Sequence, residues 1–141
     1  MYTILKAACE AQTPTPYRFT YARQDFANLY DEVEVNIPHI FLDQVRISEG
    51  YDEYDRLITK TYSGSFMVVY SSDIDEGDYS TRYLANIKPI LDTTVDIIRE
   101  RLHVEDWIRI NQWDMTEVIN MFGYNFDGIL IDYNYTEDVC R

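Results

Sequence analysis

The carboxylates are the residues of this chain with the plainest chemical potential. Glu49, Asp52, Glu53 and Asp55 form one run, and Asp73, Asp75, Glu76 and Asp78 form another. Hard oxygen ligands in such runs suit calcium. The spacing argues otherwise: in a calcium loop counted from Asp73, Gly77 falls at the fifth place instead of the sixth. Leu84 then stands at the twelfth place, where a bidentate glutamate is required. A solvated acidic turn is the simpler account. His39 and His103 are the 2 histidines, and neither has the second histidine or carboxylate spacing of a zinc motif. His103 reads as a helix-terminal cation and His39 as an edge-strand residue. Ser63-Gly64-Ser65 is not the Gly-x-Ser-x-Gly elbow of a hydrolase, and the 5 glycines do not gather into a phosphate-cradling loop. Cys9 or Cys140 becomes a nucleophile only with a histidine beside it. Asp73 and Asp75 would suit acid-base work, but a chain with 25 acidic residues contains such pairs by chance. The residues therefore assign no catalytic group, no metal and no cofactor, and the expectation is a protein that is not an enzyme.

Charge narrows the partners. The 25 acids face 12 lysines and arginines, a formal net charge of -13. Nucleic-acid affinity rests on basic residues displacing condensed counterions, so specific DNA or RNA binding is disfavoured. The 13 tyrosines have a bland explanation, since large amphipathic rings fill a sheet core with their hydroxyls at its rim. Tyr51, Tyr54, Tyr79, Tyr124 and Tyr133, however, lie beside acids or in expected loops, where aromatics anchor subunit contacts. From these groups come the candidate interface residues: Tyr51, Asp52, Glu53, Tyr54, Asp55, Asp73, Asp75, Glu76, Asp78 and Tyr124.

The rest of the chain must position them. Hydrophobic residues at 46% suit one globular domain spanning residues 1–141. Cys9 and Cys140 near the two termini read as reduced thiols of a cytosolic protein, with a bridge between them as the alternative. No apolar run approaches a membrane span, and the start lacks a secretory hydrophobic segment, so the sequon at Asn134 carries no weight. A short helix is predicted over Tyr2–Ala11, ended by Thr13-Pro14-Thr15-Pro16. Tyr17–Tyr21 alternates as a strand, Gln24–Glu34 reads as a polar connection, and Val35–Leu42 is a strand held to an edge, or started, by Pro38. After an acidic loop over 49–55, Leu57–Tyr70 is the longest strand signal, with Gly64 marking a bulge or a close backbone approach. Ser80 is predicted to cap a long helix to His103, its stripe being Leu84, Ile87, Leu91, Val95, Ile98 and Leu102. Pro89 should kink that helix or start it. Trp107–Trp113 and Ile129–Tyr135 are further strands, with a helical or irregular Thr116–Phe122 and a turn at Asn125–Gly128 between them. The expected architecture is α+β: a mostly antiparallel sheet packed against one long helix, with a short N-terminal helix and open edges near Pro38 and the C-terminus.

Four stretches carry a family likeness. They are Thr15-Pro16-Tyr17-Arg18-Phe19-Thr20-Tyr21 after the first helix, Ile37-Pro38-His39-Ile40-Phe41-Leu42-Asp43, the strand and helix from Leu57 to Leu102, and Asn120-Met121-Phe122-Gly123-Tyr124-Asn125-Phe126-Asp127-Gly128-Ile129-Leu130-Ile131-Asp132-Tyr133. Their order resembles small virion proteins of tailed phages, of the head-tail connector or tail terminator type found in Bacteroides-type phages and prophages. The resemblance implies a structural subunit of a virion neck or tail. It implies a homo-oligomeric ring, commonly of six or twelve copies, stacked between portal and tail, assembled in the host cytoplasm and located in the virion, with neighbouring neck, portal or tail proteins as partners and no membrane. DNA would pass through the lumen, and carboxylates facing it would let phosphates slide past. Two other readings stand beside it, an acidic DNA-mimic inhibitor and a small metal-dependent enzyme.

Overall fold

The computed structural model describes residues 1–21, 36–71, 78–121 and 126–139. Helix α1 (Tyr2–Glu10) turns through Pro14 and Pro16 into β1 (Arg18–Tyr21). The remaining strands are β2 (His39–Leu42), β3 (Arg46–Tyr51), β4 (Leu57–Ser71), β5 (Ile108–Met121) and β6 (Phe126–Asp138), with α2 (Lys88–His103) between β4 and β5. The sheet runs β1-β2-β4-β6-β5, and β3 lies beside β4 off that path. One long strand therefore serves two partners on the same side: β4 offers Phe66–Val69 to β2 and Leu57–Ser63 to β3. On its other side β4 holds β6 in unbroken antiparallel register from Thr59 with Asp138 to Ser71 with Phe126.

Three features of that order correct the sequence-based architecture. First, strand makes up 48% of the described residues and helix only 28%, so they form a mostly β structure and not the expected α+β sandwich of a sheet under one long helix. Second, the sheet is mixed, because β1 and β2 run parallel. Third, no single long helix from Ser80 to His103 packs on the sheet among the described residues. The predicted run from Ser80 is divided into a π-helical segment, Ser80–Ala85, and the separate helix α2.

Pro89 explains the division. It has no amide proton for the Ala85 carbonyl and its ring excludes that carbonyl's approach, so α2 begins at Lys88 with the proline in its first turn, where amide donors are unpaired in any helix. The wider π turn before it also shifts the buried face by one position. Tyr83 is fully buried while Leu84, expected on the apolar stripe, is 42% exposed. Nor does Ser80 cap this segment. Asp78 does so, its carboxylate accepting from the Thr81 amide at 3.2 Å and the Thr81 hydroxyl at 2.8 Å.

Two apolar clusters follow from the strand alternation. On one face of the sheet Phe66 and Val68 of β4 and Ile129, Ile131, Tyr133 and Tyr135 of β6 join Leu5 and Ala8 of α1 and Leu91, Val95, Ile98 and Leu102 of α2. On the other, Phe41, Met67 and Val69 are buried with Val118, Phe126 and Leu130 packed against them. Covered strands read as runs without alternation, which is why all four residues of β2 are buried. β2 is accordingly an interior strand, not the edge that Pro38 was expected to make it, and the C-terminal β6 is interior as well. Among the described strands the edges belong to β1, β3 and β5.

Smaller departures have local causes. The segment expected to be helical or irregular at Thr116–Phe122 continues β5 to Met121, and Phe126–Gly128, expected in a turn, already belongs to β6. β5 gives weak alternation because its register with β6 shifts twice, between Ile110 and Gln112 and between Val118 and Met121. Gly64 interrupts no register; a Cβ there would lie 3.0 Å from the Tyr133 hydroxyl and 3.2 Å from the Gln44 carbonyl oxygen, so the glycine marks close approach. The polar connection expected at Gln24–Glu34 lies outside the described residues.

Candidate functional site

Most of the candidate residues that can be placed gather on the β3–β4 hairpin. The acidic run read as a loop is largely ordered: Glu49, Gly50 and Tyr51 end β3, and only the turn from Asp52 to Arg56 joins it to β4. Asp52 builds that turn. One of its oxygens accepts the amides of Tyr54 at 2.8 Å and Arg56 at 2.9 Å, and the other meets Arg56 Nε at 2.9 Å. Those bonds, the Arg56 amide first, hold its carboxyl below the usual carboxylate range. Asp55 completes the turn with φ of 57°, a left-handed conformation that aspartate tolerates better than most residues. Glu53 and Asp55 lie exposed at the tip.

Apolar surface accompanies the charge. Tyr54 is 70% exposed, its ring under the Arg56 guanidinium at 5.3 Å, and Tyr51 is more than half exposed, donating to Glu49 at 2.5 Å. Ile47 and Ile58 are exposed on the same hairpin. Four large apolar side chains are thus exposed on this one hairpin.

At the root of the arm lies a cleft of about 570 Å³. Its walls are Tyr2 and Ile4 of α1, Tyr21 of β1, Val45 and Ile47 beside and on β3, Tyr62 of β4, Trp107 and Ile108 at the start of β5, and Tyr135 of β6. Glu105 and Glu137 are the charged side chains that line it among the described residues. The rings are mutually braced: Tyr2 meets Tyr21 edge-on at 5.3 Å and Tyr62 stacks on Tyr135 at 4.9 Å. The Tyr62 hydroxyl donates to Glu137, and its pKa is raised, by burial first and then by that carboxylate. At the cleft floor the Met1 amino nitrogen donates to the Tyr135 hydroxyl at 2.6 Å. Burial lowers that amine to about 6, against the opposing pull of Glu137, so it is largely uncharged at neutral pH.

Other candidates are dispersed. Asp78 caps the π-helical segment, away from the hairpin in sequence and role. Tyr79, expected as an anchor, donates to Glu117 at 2.7 Å and stacks on Tyr83. Tyr133, expected likewise, is core, 3% exposed. Asp73, Asp75, Glu76 and Tyr124 lie outside the described residues. His39 is no edge residue. It is buried on β2, stacked on Phe41 and bonded to the Thr20 hydroxyl at 2.9 Å; burial, then Arg18, lowers its pKa to about 4. Cys9 is buried with its thiol pushed up to about 12, chiefly by desolvation, while Cys140 lies outside the described residues.

Reading the sequence missed the cleft. Tyr62 and Tyr135 were legible as same-face residues of two strands, but only the β4–β6 register places them side by side, and nothing local encodes that register. No protein-family model matches the chain, and no curated protein is found to match it.

Proposed function

We propose that this protein is a structural subunit of a tailed-phage virion that assembles with copies of itself into a ring around the DNA channel, as a head-tail connector or tail terminator. The observation that carries this reading is the β3–β4 arm, which holds Ile47, Tyr51, Tyr54 and Ile58 in water. Exposed aromatic and aliphatic groups on one hairpin have the composition of the buried centre of an interface. An arm reaching a different patch of the next copy makes a heterologous contact, and such contacts close into rings.

Two further features support it. Among the described strands β5 pairs on one side only, leaving a long row of backbone groups on its outer edge that a neighbour can meet. The charge of -13 suits a channel wall that must pass DNA without retaining it.

Size-exclusion chromatography with light scattering, followed by electron microscopy, tests the proposal. The expected result is a closed ring, and Tyr51→Ser with Tyr54→Ser should yield a folded monomer with unaltered circular dichroism. A chain that stays monomeric throughout the accessible concentration range, with or without a capsid or tail neighbour, overturns it.

A further inference from the structure

The first half of β5 is a sheet edge, among the described strands, whose side chains complement themselves. Arg109, Asn111, Gln112, Asp114 and Met115 are exposed along it. The register with β6 fixes the face that each residue takes. Ile110, Trp113 and Met115 stand opposite Tyr135, Tyr133 and Ile131, on the face that packs against α1 and α2. Arg109, Gln112 and Asp114 stand opposite Thr136, Asn134 and Asp132, on the other face. In an unbroken strand, positions 109 and 114 would lie on opposite faces, because side chains alternate. The register shift between Ile110 and Gln112 makes Asn111 an extra residue, and this bulge brings the two charges to one face.

Both charges lack balance there. Asp114 lies directly across from Asp132, a pairing of like charges that destabilises neighbouring strands. One Asp114 oxygen accepts the Gln112 side-chain amide at 2.5 Å, but a neutral donor leaves the carboxylate's charge in place. The Arg109 guanidinium has no ion pair or hydrogen bond among the described residues.

We propose that two copies of this chain pair their β5 edges antiparallel, about a two-fold axis between Asn111 and Gln112. In that register Arg109 of each copy meets the partner's Asp114, beside Asp132, and supplies the cation that this row of carboxylates lacks. On the helix face Ile110 meets the partner's Trp113 and Ile108 meets the partner's Met115, so apolar groups lie together. The backbone groups of the two edges complete one continuous sheet. Beyond Met115 the same register sets Glu117 against Asp106, like charges that end the pairing. The contact is separate from the β3–β4 arm and stands whether or not the arm closes a ring. It engages far fewer than the roughly 20–30 residues a side of a standard interface, so the pair is weak and forms at concentrations above those of a sizing column.

The test uses the full chain carrying Tyr51→Ser and Tyr54→Ser, so that the arm does not contribute, in sedimentation equilibrium up to concentrations on the order of millimolar. A reversible dimer is expected. Asp114→Arg turns both ion pairs of the dimer into like-charge pairs and should weaken it about tenfold. Simple repulsion between acidic proteins predicts the opposite sign, because this change makes the chain less acidic. Arg109→Asp should weaken the dimer similarly, and the two reversals combined in one chain should restore it to within about threefold. Cysteines read the register directly. With Cys140→Ser in place and Cys9 buried, a mixture of Arg109→Cys and Asp114→Cys chains should form a disulfide between copies under mild oxidation. Neither variant should do so alone, because its own two cysteines lie roughly 15 Å apart in this register. A chain that stays monomeric, a double reversal no better than the single ones, or a mixture that fails to cross-link overturns the proposal. A ring that survives loss of the two tyrosines counts against the arm alone, and the cysteine pair then still decides for or against β5.

Discussion

His39 and Asp127 are single buried groups whose environments set measurable consequences. The imidazole is held near 4 by burial and by Arg18, well below its ordinary value. Between about pH 6.5 and 4 the unfolded chain takes up a proton that the folded protein refuses, so stability falls as pH drops through that window and levels below it. The loss amounts to ~3 kcal/mol. Thermal melts across this range should show it, and His39→Gln should flatten the profile between the two values. Asp127 is fully buried with its oxygen 3.3 Å from Arg82 Nε, tying the π-helical segment to β6. Removing one partner leaves the other as a buried charge, so Asp127→Ala should cost about 3–5 kcal/mol in denaturant unfolding. Neither role was legible beforehand. A histidine after a proline reads as an edge residue, and an aspartate before a glycine reads as a turn, because both readings use only neighbours in sequence while burial comes from β4 and the π-helical segment.

The elements repeat this pattern. β4 was legible along its length because Thr59, Thr61, Tyr62, Val68 and Val69 favour a pleated surface and its partners satisfy both faces. The proline signal at Pro89 was legible too, and its helix-starting alternative is the one the chain adopts. The π turn was not, since nothing in Ser80–Ala85 marks the extra residue per turn that brings Tyr83 inward. The acidic tip illustrates a composition that looked merely solvated yet has a builder in it. Neutralising Glu53 and Asp55 should leave the fold intact, whereas Asp52→Ala should lower the melting temperature and speed amide exchange at Tyr54 and Arg56, which it holds. Exchange rates that stay unchanged at those two amides would remove Asp52 from that role. Gly64→Ala should destabilise by about 1–3 kcal/mol, because the Gln44 carbonyl that it meets is backbone and cannot swing aside.

For the whole molecule, composition excluded more than it specified. A charge of -13 argues against nucleic-acid binding, but the same number is compatible with a ring, an inhibitor or a solitary domain. If copies do associate, they do so against mutual repulsion, and salt that screens it should strengthen association between low and physiological ionic strength. Light scattering at two salt concentrations measures this, and weaker association in salt would mean that attraction between unlike charges dominates the contact. The shared core predicts the opposite kind of sensitivity. Phe66 and Ile98 are buried to within 1% on the sheet and on α2, so an aspartate at either position should unfold the chain.

The β4–β6 ladder also bears on how fast this chain can find its shape. Each of its pairs, from Ser71 with Phe126 outward to Thr59 with Asp138, joins positions that have α2 and β5 between them. The loop must close before the ladder rewards closure. Helix α2 and the β3–β4 arm need no such wait. Refolding should therefore run over milliseconds to seconds, and the amides of α2 and the arm should gain protection from exchange before those where β4 meets β6.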